Sequence, residues 1–165
     1  MADEKLREKL ADYVEDAHAM EQSVLRSLDS MISTTDDPEV RSMLEHHNEE
    51  TERHERLLKE QLDVLGEGTS APKEAQTVGA ALLKGIADRA RTDKPAKNAR
   101  DGYVTEHMVI ACYQILERLA ERAGDTETAE VARRNRADEE EMARRIDASW
   151  DRVLDLTLDE AGIRV

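Results

Sequence analysis

Residues 38–65 read PEVRSMLEHHNEETERHERLLKEQLDVL, and the spacing inside this stretch decides the fold. Val40, Met43, Leu44, His47, Glu50, His54, Leu58, Leu62 and Leu65 recur every three or four residues. That period puts them on one face of a helix. Asp36 or Asp37 stands at the N-cap, and Pro38 takes the first helical position, where a missing N–H costs nothing. Gly66 and Gly68 end the helix. The inward face is apolar at both ends and polar in the middle, where His47, Glu50 and His54 interrupt it.

Working outward, Leu6, Leu10, Val14, Ala17, Glu21, Val24, Leu28 and Met31 form the stripe of a preceding helix over about 3–33. That stripe is apolar except at Glu21, and the polar turn STTDDP joins the two helices. A third helix is expected over about 101–123, with Tyr103, Glu106, Ile110 and Tyr113 on one stripe. Gly124 stops it and Asp125 caps a fourth, over about 126–155, which carries Ala132, Asn135, Glu139, Met142, Ile146, Trp150 and Val153. The tail DLTLDEAGIRV is either loose or packed on the outside. Residues 66–100 differ in kind, with GEGTSAP at one end and TDKPAKNARDG at the other. Between them 73–91 reads as a short helix weakened by Gly79 and Gly85. Neither flanking pair of helices closes a core alone, so this segment is a crossover within one domain spanning 1–165. The expected fold is all-α: two antiparallel hairpins joined by a long crossover, the ferritin-like four-helix bundle.

Composition agrees. The 165 residues are 38% charged and 39% hydrophobic, contain no Phe and only three Pro, and carry a net charge of −14. A chain this acidic lacks the basic patches that neutralise nucleic-acid phosphates. No apolar stretch approaches the ~20 residues of a membrane span, and MADEKLREKL lacks the apolar segment of a secretory leader. Cys112 is the single cysteine, so no intrachain disulfide forms and a cytoplasmic setting is expected.

The four helices share one anomaly. Glu21 and Glu50 are centred on position 35.5, inside the STTDDP turn, and Glu106 and Glu139 on position 122.5, at the Ala123–Gly124 turn. Each hairpin is therefore expected to bring two inward carboxylates face to face at mid-bundle. An unpaired buried carboxylate costs several kcal/mol or more, so these groups need positive partners. Arginine is one solution and a divalent metal pair is the other. Glutamates bridging two cations build dimetal sites, and neutral histidine nitrogens suit iron, manganese or zinc. Two bland readings stand beside this one: HHNEETERHER as a solvated, salt-bridged face, and Tyr103 as packing rather than a redox-active neighbour. The second and fourth helices also align at an offset of 88, with Asp37 on Asp125, Glu50 on Asp138 and Leu58 on Ile146. That is the pattern of a duplicated hairpin or of any two acidic amphipathic helices.

DAHAMEQSVL (16–25), LEHHNEETERHERLL (44–58), YVTEHMVIACYQILERLAERAGD (103–125) and ARRNRADEEEMARRI (132–146) resemble the bacterial ferritin-like stress-response proteins of the YciE/YciF type, and more distantly the rubrerythrins. The resemblance implies a bundle, often dimeric, with a dinuclear iron-type site. Carried over by motif, it points to Glu21, His47, Glu50, His54, Glu106 and Glu139 or Asp138 as ligands. The wider ferritin-like Glu-x-x-His pattern is broken, because Arg53 and Met142 (or Glu141) stand where histidines belong. The expected function is oxidation of Fe²⁺ by O₂ or peroxide in stress protection. A non-enzymatic scaffold and a manganese-dependent peroxide-decomposing enzyme are the alternatives.

Overall fold

In the computed structural model the described residues are 2–66 and 92–164, and they are helical, with no strand among them. The helices are α1 (Ala2–Thr34), α2 (Pro38–Leu65), α3 (Lys94–Ala123), α4 (Thr126–Asp147) and α5 (Trp150–Glu160). The short crossover helix expected at 73–91 lies outside the described residues. α1 pairs with α2 and α3 with α4; α1 then packs on α3, and α2 on α4, so the helices run round a square. Leu10, Val14, Leu28, Leu58, Leu62 and Leu116 fill its axis. Each such side chain contributes roughly 1.5–3 kcal/mol by leaving water.

Local chemistry sets the ends. Asp37 is the cap of α2, its carboxylate accepting from the Val40 N–H at 3.0 Å. Gly66 ends α2 in the left-handed region at φ 82°, where its N–H donates to the Leu62 carbonyl. Asp125 repeats the Asp37 cap on α4, accepting from Thr128 N–H at 2.9 Å. Gly124, at φ 72°, closes α3 in the same way as Gly66 closes α2.

Two expected boundaries are corrected. α3 starts at Lys94 rather than near Asp101. Pro95 suits its first turn, and Thr157 of α5 accepts from the Ala96 N–H at 3.1 Å, satisfying one of the free donors there. Gly102 lies inside α3 without ending it; a Cβ there would sit 3.5 Å from Ile146 Cδ1, an ordinary contact distance. The fourth helix is not continuous to 155. The Ser149 N–H and hydroxyl both turn back to the Ile146 carbonyl, at 2.9 and 2.8 Å, and divert it from the helical ladder. The chain restarts as α5, which buries Val153 and Thr157 and packs on α3, so the tail is helical as far as Glu160.

Candidate metal centre

Each helix of the square contributes to one buried polar layer. α1 brings Glu21, α2 brings His47 and His54, α3 brings Glu106 and α4 brings Glu139; all five are buried. His54 Nδ1 lies 2.9 Å from Glu139 Oε1 and 3.4 Å from Glu21 Oε1. His47 Nε2 lies 3.3 Å from Glu106 Oε1 and 3.6 Å from Glu139 Oε2. Two triads result, Glu21–His54–Glu139 and His47–Glu106–Glu139, each with donor atoms within 4.8 Å of one another. Glu139 belongs to both and turns one oxygen to each histidine.

Glu50 and Asp138 stand outside these triads. Glu50 Oε2 lies 3.4 Å from His47 Nδ1, and Asp138 Oδ2 lies 3.0 Å from His54 Nε2. Glu50 is also 3.2 Å from His46, and Arg53 binds Asp138 at 2.7 Å. The expected opposition of Glu21 and Glu50 is corrected: Glu21 meets His54. At 100° per residue, seven positions return almost to the same direction, so His47 and His54 share the inward line while Glu50 turns about 60° off it. Its side chain keeps 16% exposure, and buried Thr51 fills the line between the histidines. The expected opposition of Glu106 and Glu139 matches their meeting in the second triad.

Each histidine thus rests one nitrogen on an outer carboxylate and turns the other inward. That is the arrangement that orients a metal-binding imidazole. The inward atoms are unsatisfied: Glu21 Oε2, His47 Nε2, His54 Nδ1, Glu106 Oε2 and both Glu139 oxygens are buried without an aligned hydrogen bond. Buried polar atoms are normally paired, so six orphans converging on one layer suit metal binding by the chemistry of the donors.

Without cations, protons balance the charge. Burial and the Glu106 charge push Glu139 up to about 8, against the pull of the two histidines. Burial opposes a charge on His54, but Glu139 and Glu21 outweigh it and hold the imidazole up to about 10. His47 rises well above its ordinary value for the same reason, with Glu106 the main partner. Burial and the Glu139 charge raise Glu21.

Two residues of the inward stripes, which the stripe pattern alone marks only as packing, border the triads. The Tyr113 hydroxyl donates to Glu21 Oε1, and Asn135 Nδ2 donates to that hydroxyl at 3.0 Å. Tyr113 follows Glu106 by seven residues, the spacing that could have flagged it. Tyr103 instead packs against Trp150 and His107, with ring centres 5.5 and 4.3 Å away. His18 binds Glu55 at 2.7 Å.

The pattern defining the DUF892 family, described as a domain of unknown function, matches residues 5–158. The chain belongs to that family. Solved structures share the DUF892 chain's fold. A protein of Xanthomonas campestris pv. campestris is 24% identical with a TM-score of 0.81, covering 96% of this chain and 99% of its own. The Escherichia coli stress protein YciF is 16% identical with a TM-score of 0.77, over 91% and 97% of the two chains. YcfI of Rhodopseudomonas palustris, a proposed structural protein, is 22% identical with a TM-score of 0.76, over 86% and 92%. The YciE/YciF-type resemblance therefore stands.

Proposed function

We propose that this protein is a ferritin-like dimetal carboxylate protein that binds two divalent ions, iron first, with manganese and zinc as alternatives, and oxidises Fe²⁺ with O₂ or peroxide. The observation that carries this reading is Glu139, whose two oxygens face two separate histidine nitrogens, all four atoms lacking an aligned hydrogen bond. Glu21, His54 and Glu139 Oε1 would hold one ion, and His47, Glu106 and Glu139 Oε2 the other. Bound there, ferrous ions would supply the electrons for the oxidant. Asp138 and Glu50 fix the ring nitrogens that stay outside. Tyr113, on α3, holds the Glu21 side chain of α1 and keeps one of its oxygens hydrogen-bonded. The surrounding leucines exclude bulk water, which strengthens every charge interaction in the layer.

The stress-protective role is carried over from YciF, named a stress protein. We place the protein in a reducing cytoplasm on its single cysteine, and as a homodimer on the family resemblance. A second reading has its own support: two imidazolium ions against the carboxylates would make a structural ion-pair cluster in a non-enzymatic scaffold.

The discriminating experiment adds Fe²⁺ anaerobically to metal-free protein, then O₂ or peroxide. Ferric absorbance rising with oxidant consumption, and lost in Glu139→Gln, is expected. Oxidation no faster than in protein-free buffer would favour the scaffold. Peroxide loss with manganese but not iron would favour the peroxide-decomposing enzyme.

A further inference from the structure

A cavity of about 250 Å³ lies inside the bundle between the α1–α2 turn and the metal centre. Its inner wall includes Val24, Leu44, Glu106 and Met142. Val24 follows Glu21 by three residues, Leu44 precedes His47 by three, and Met142 follows Glu139 by three. The inner end is therefore the layer next to the two triads, and Glu106 belongs to both cavity and triad. The outer end reaches Thr34, ten residues beyond Val24 on α1. At 1.5 Å per residue the cavity is roughly 15 Å long, so it is slender.

Its walls are mainly apolar, formed by Leu28, Met31, Met43, Ile146, Val153 and Leu156 with a few serine and threonine side chains between them. Methionine thioethers adapt to varied apolar shapes. Two residues on the wall carry buried acceptors with no hydrogen-bond partner, Asn98 Oδ1 and Glu106 Oε2. Eight residues separate them along α3, which is ~12 Å and more than one water can bridge. At the rim Asp36, Asp37, Asp159 and Glu160 stand against Lys94, with Arg152 bound to Asp37. The balance is net acidic and disfavours an anion.

We propose that this cavity binds a slender organic molecule, neutral or cationic, with an apolar body and a hydroxyl or amine donor, and sets that donor against Glu106 beside the metal centre. Binding in the cavity stands on the apolar walls, the orphan acceptors and the acidic rim. Only its placement beside bound metal rests on the metal reading above.

The test is displacement of the neutral apolar fluorophore N-phenyl-1-naphthylamine by 1-decanol, decylamine or decanoate, using the full chain without added metal. Saturable displacement by decanol or decylamine is expected, with decanoate at least tenfold weaker. Ala99→Leu and Leu156→Trp, which fill the cavity from α3 and α5, should weaken decanol at least tenfold while thermal midpoints stay at or above the wild-type value. No saturable displacement by any of the three, equal binding in both filled variants, or decanoate binding tightest would overturn the assignment. Decanol binding retained by Glu139→Gln supports the cavity independently of the metal. If the wild-type protein takes up no metal yet binds decanol, the cavity stands and the metal reading falls.

Discussion

Asp138 Oδ2 lies 3.0 Å from His54 Nε2, and this contact leaves the other ring nitrogen, Nδ1, facing Glu21 and Glu139. Glu50 does the same for His47 from the opposite edge of the layer, at 3.4 Å. Outer carboxylates of this kind fix ring orientation and tautomer, and losing them typically costs 10–100-fold in metal affinity. Asp138→Ala and Glu50→Ala should each weaken metal binding by about that factor while the helical circular dichroism is unchanged. Competition against a chromophoric chelator measures it, and wild-type affinity in both variants would remove the orienting role.

Tyr113 supplies the hydroxyl that satisfies Glu21 Oε1, while Oε2 has no partner. Tyr113→Phe leaves the buried carboxylate with neither oxygen satisfied. The metal-free protein should lose about 1–3 kcal/mol in urea unfolding. Added metal should recover part of that loss, because a cation balances the charge that the hydroxyl no longer solvates.

Much of this was legible in the sequence because helix periodicity and caps are local. Asp37, Asp125, Gly66 and Gly124 act where their positions predict. The offset of 88 also has physical content: Asp37 and Asp125 are both caps, and Glu50 and Asp138 both hold the outer nitrogen of a histidine. Rotation about the helix axis was harder to read. Counting residues from a turn gives level but not facing, so it sets Glu50 inward although the His47–His54 line leaves it at the edge. At the start of α3, beside the local signal of Pro95, Thr157 sixty-one residues beyond Ala96 offers its hydroxyl to the Ala96 N–H. No pattern around Asp101–Gly102 carries that information.

Asp37 caps α2 and binds Arg152 of α5, tying the α1–α2 turn to the C-terminal helix. Asp37→Ala should cost about 0.5–2 kcal/mol for the cap. The Val40 N–H, ahead of the Arg152 guanidinium, holds the Asp37 carboxyl below its ordinary value. A depressed folded-state pKa stabilises above the unfolded value, near ~3.9. The contribution is lost as pH falls through the folded-state pKa. The stability gap between wild type and Asp37→Ala should therefore be full at neutral pH and shrink below about pH 4, as denaturant midpoints at several pH values will show.

Metal must displace protons from this layer, because imidazole and carboxylate ligate only when deprotonated. With His54 holding its proton up to about 10 and Glu139 up to about 8, loading near neutral pH should release protons and weaken as pH falls. Titration calorimetry in two buffers of different ionisation enthalpy counts the release. Binding heats independent of the buffer would contradict metal entry at these residues.

The most direct test of the central claim is metal stoichiometry in metal-free protein titrated with Fe²⁺ under anaerobic conditions, compared with Glu139→Gln and Glu21→Gln. The shared position of Glu139 predicts two ions per wild-type chain, both weakened by Glu139→Gln, and one weakened by Glu21→Gln. A wild-type chain that takes up no ion and gains no thermal stability, or a Glu139→Gln chain that binds two as tightly as wild type, would contradict it.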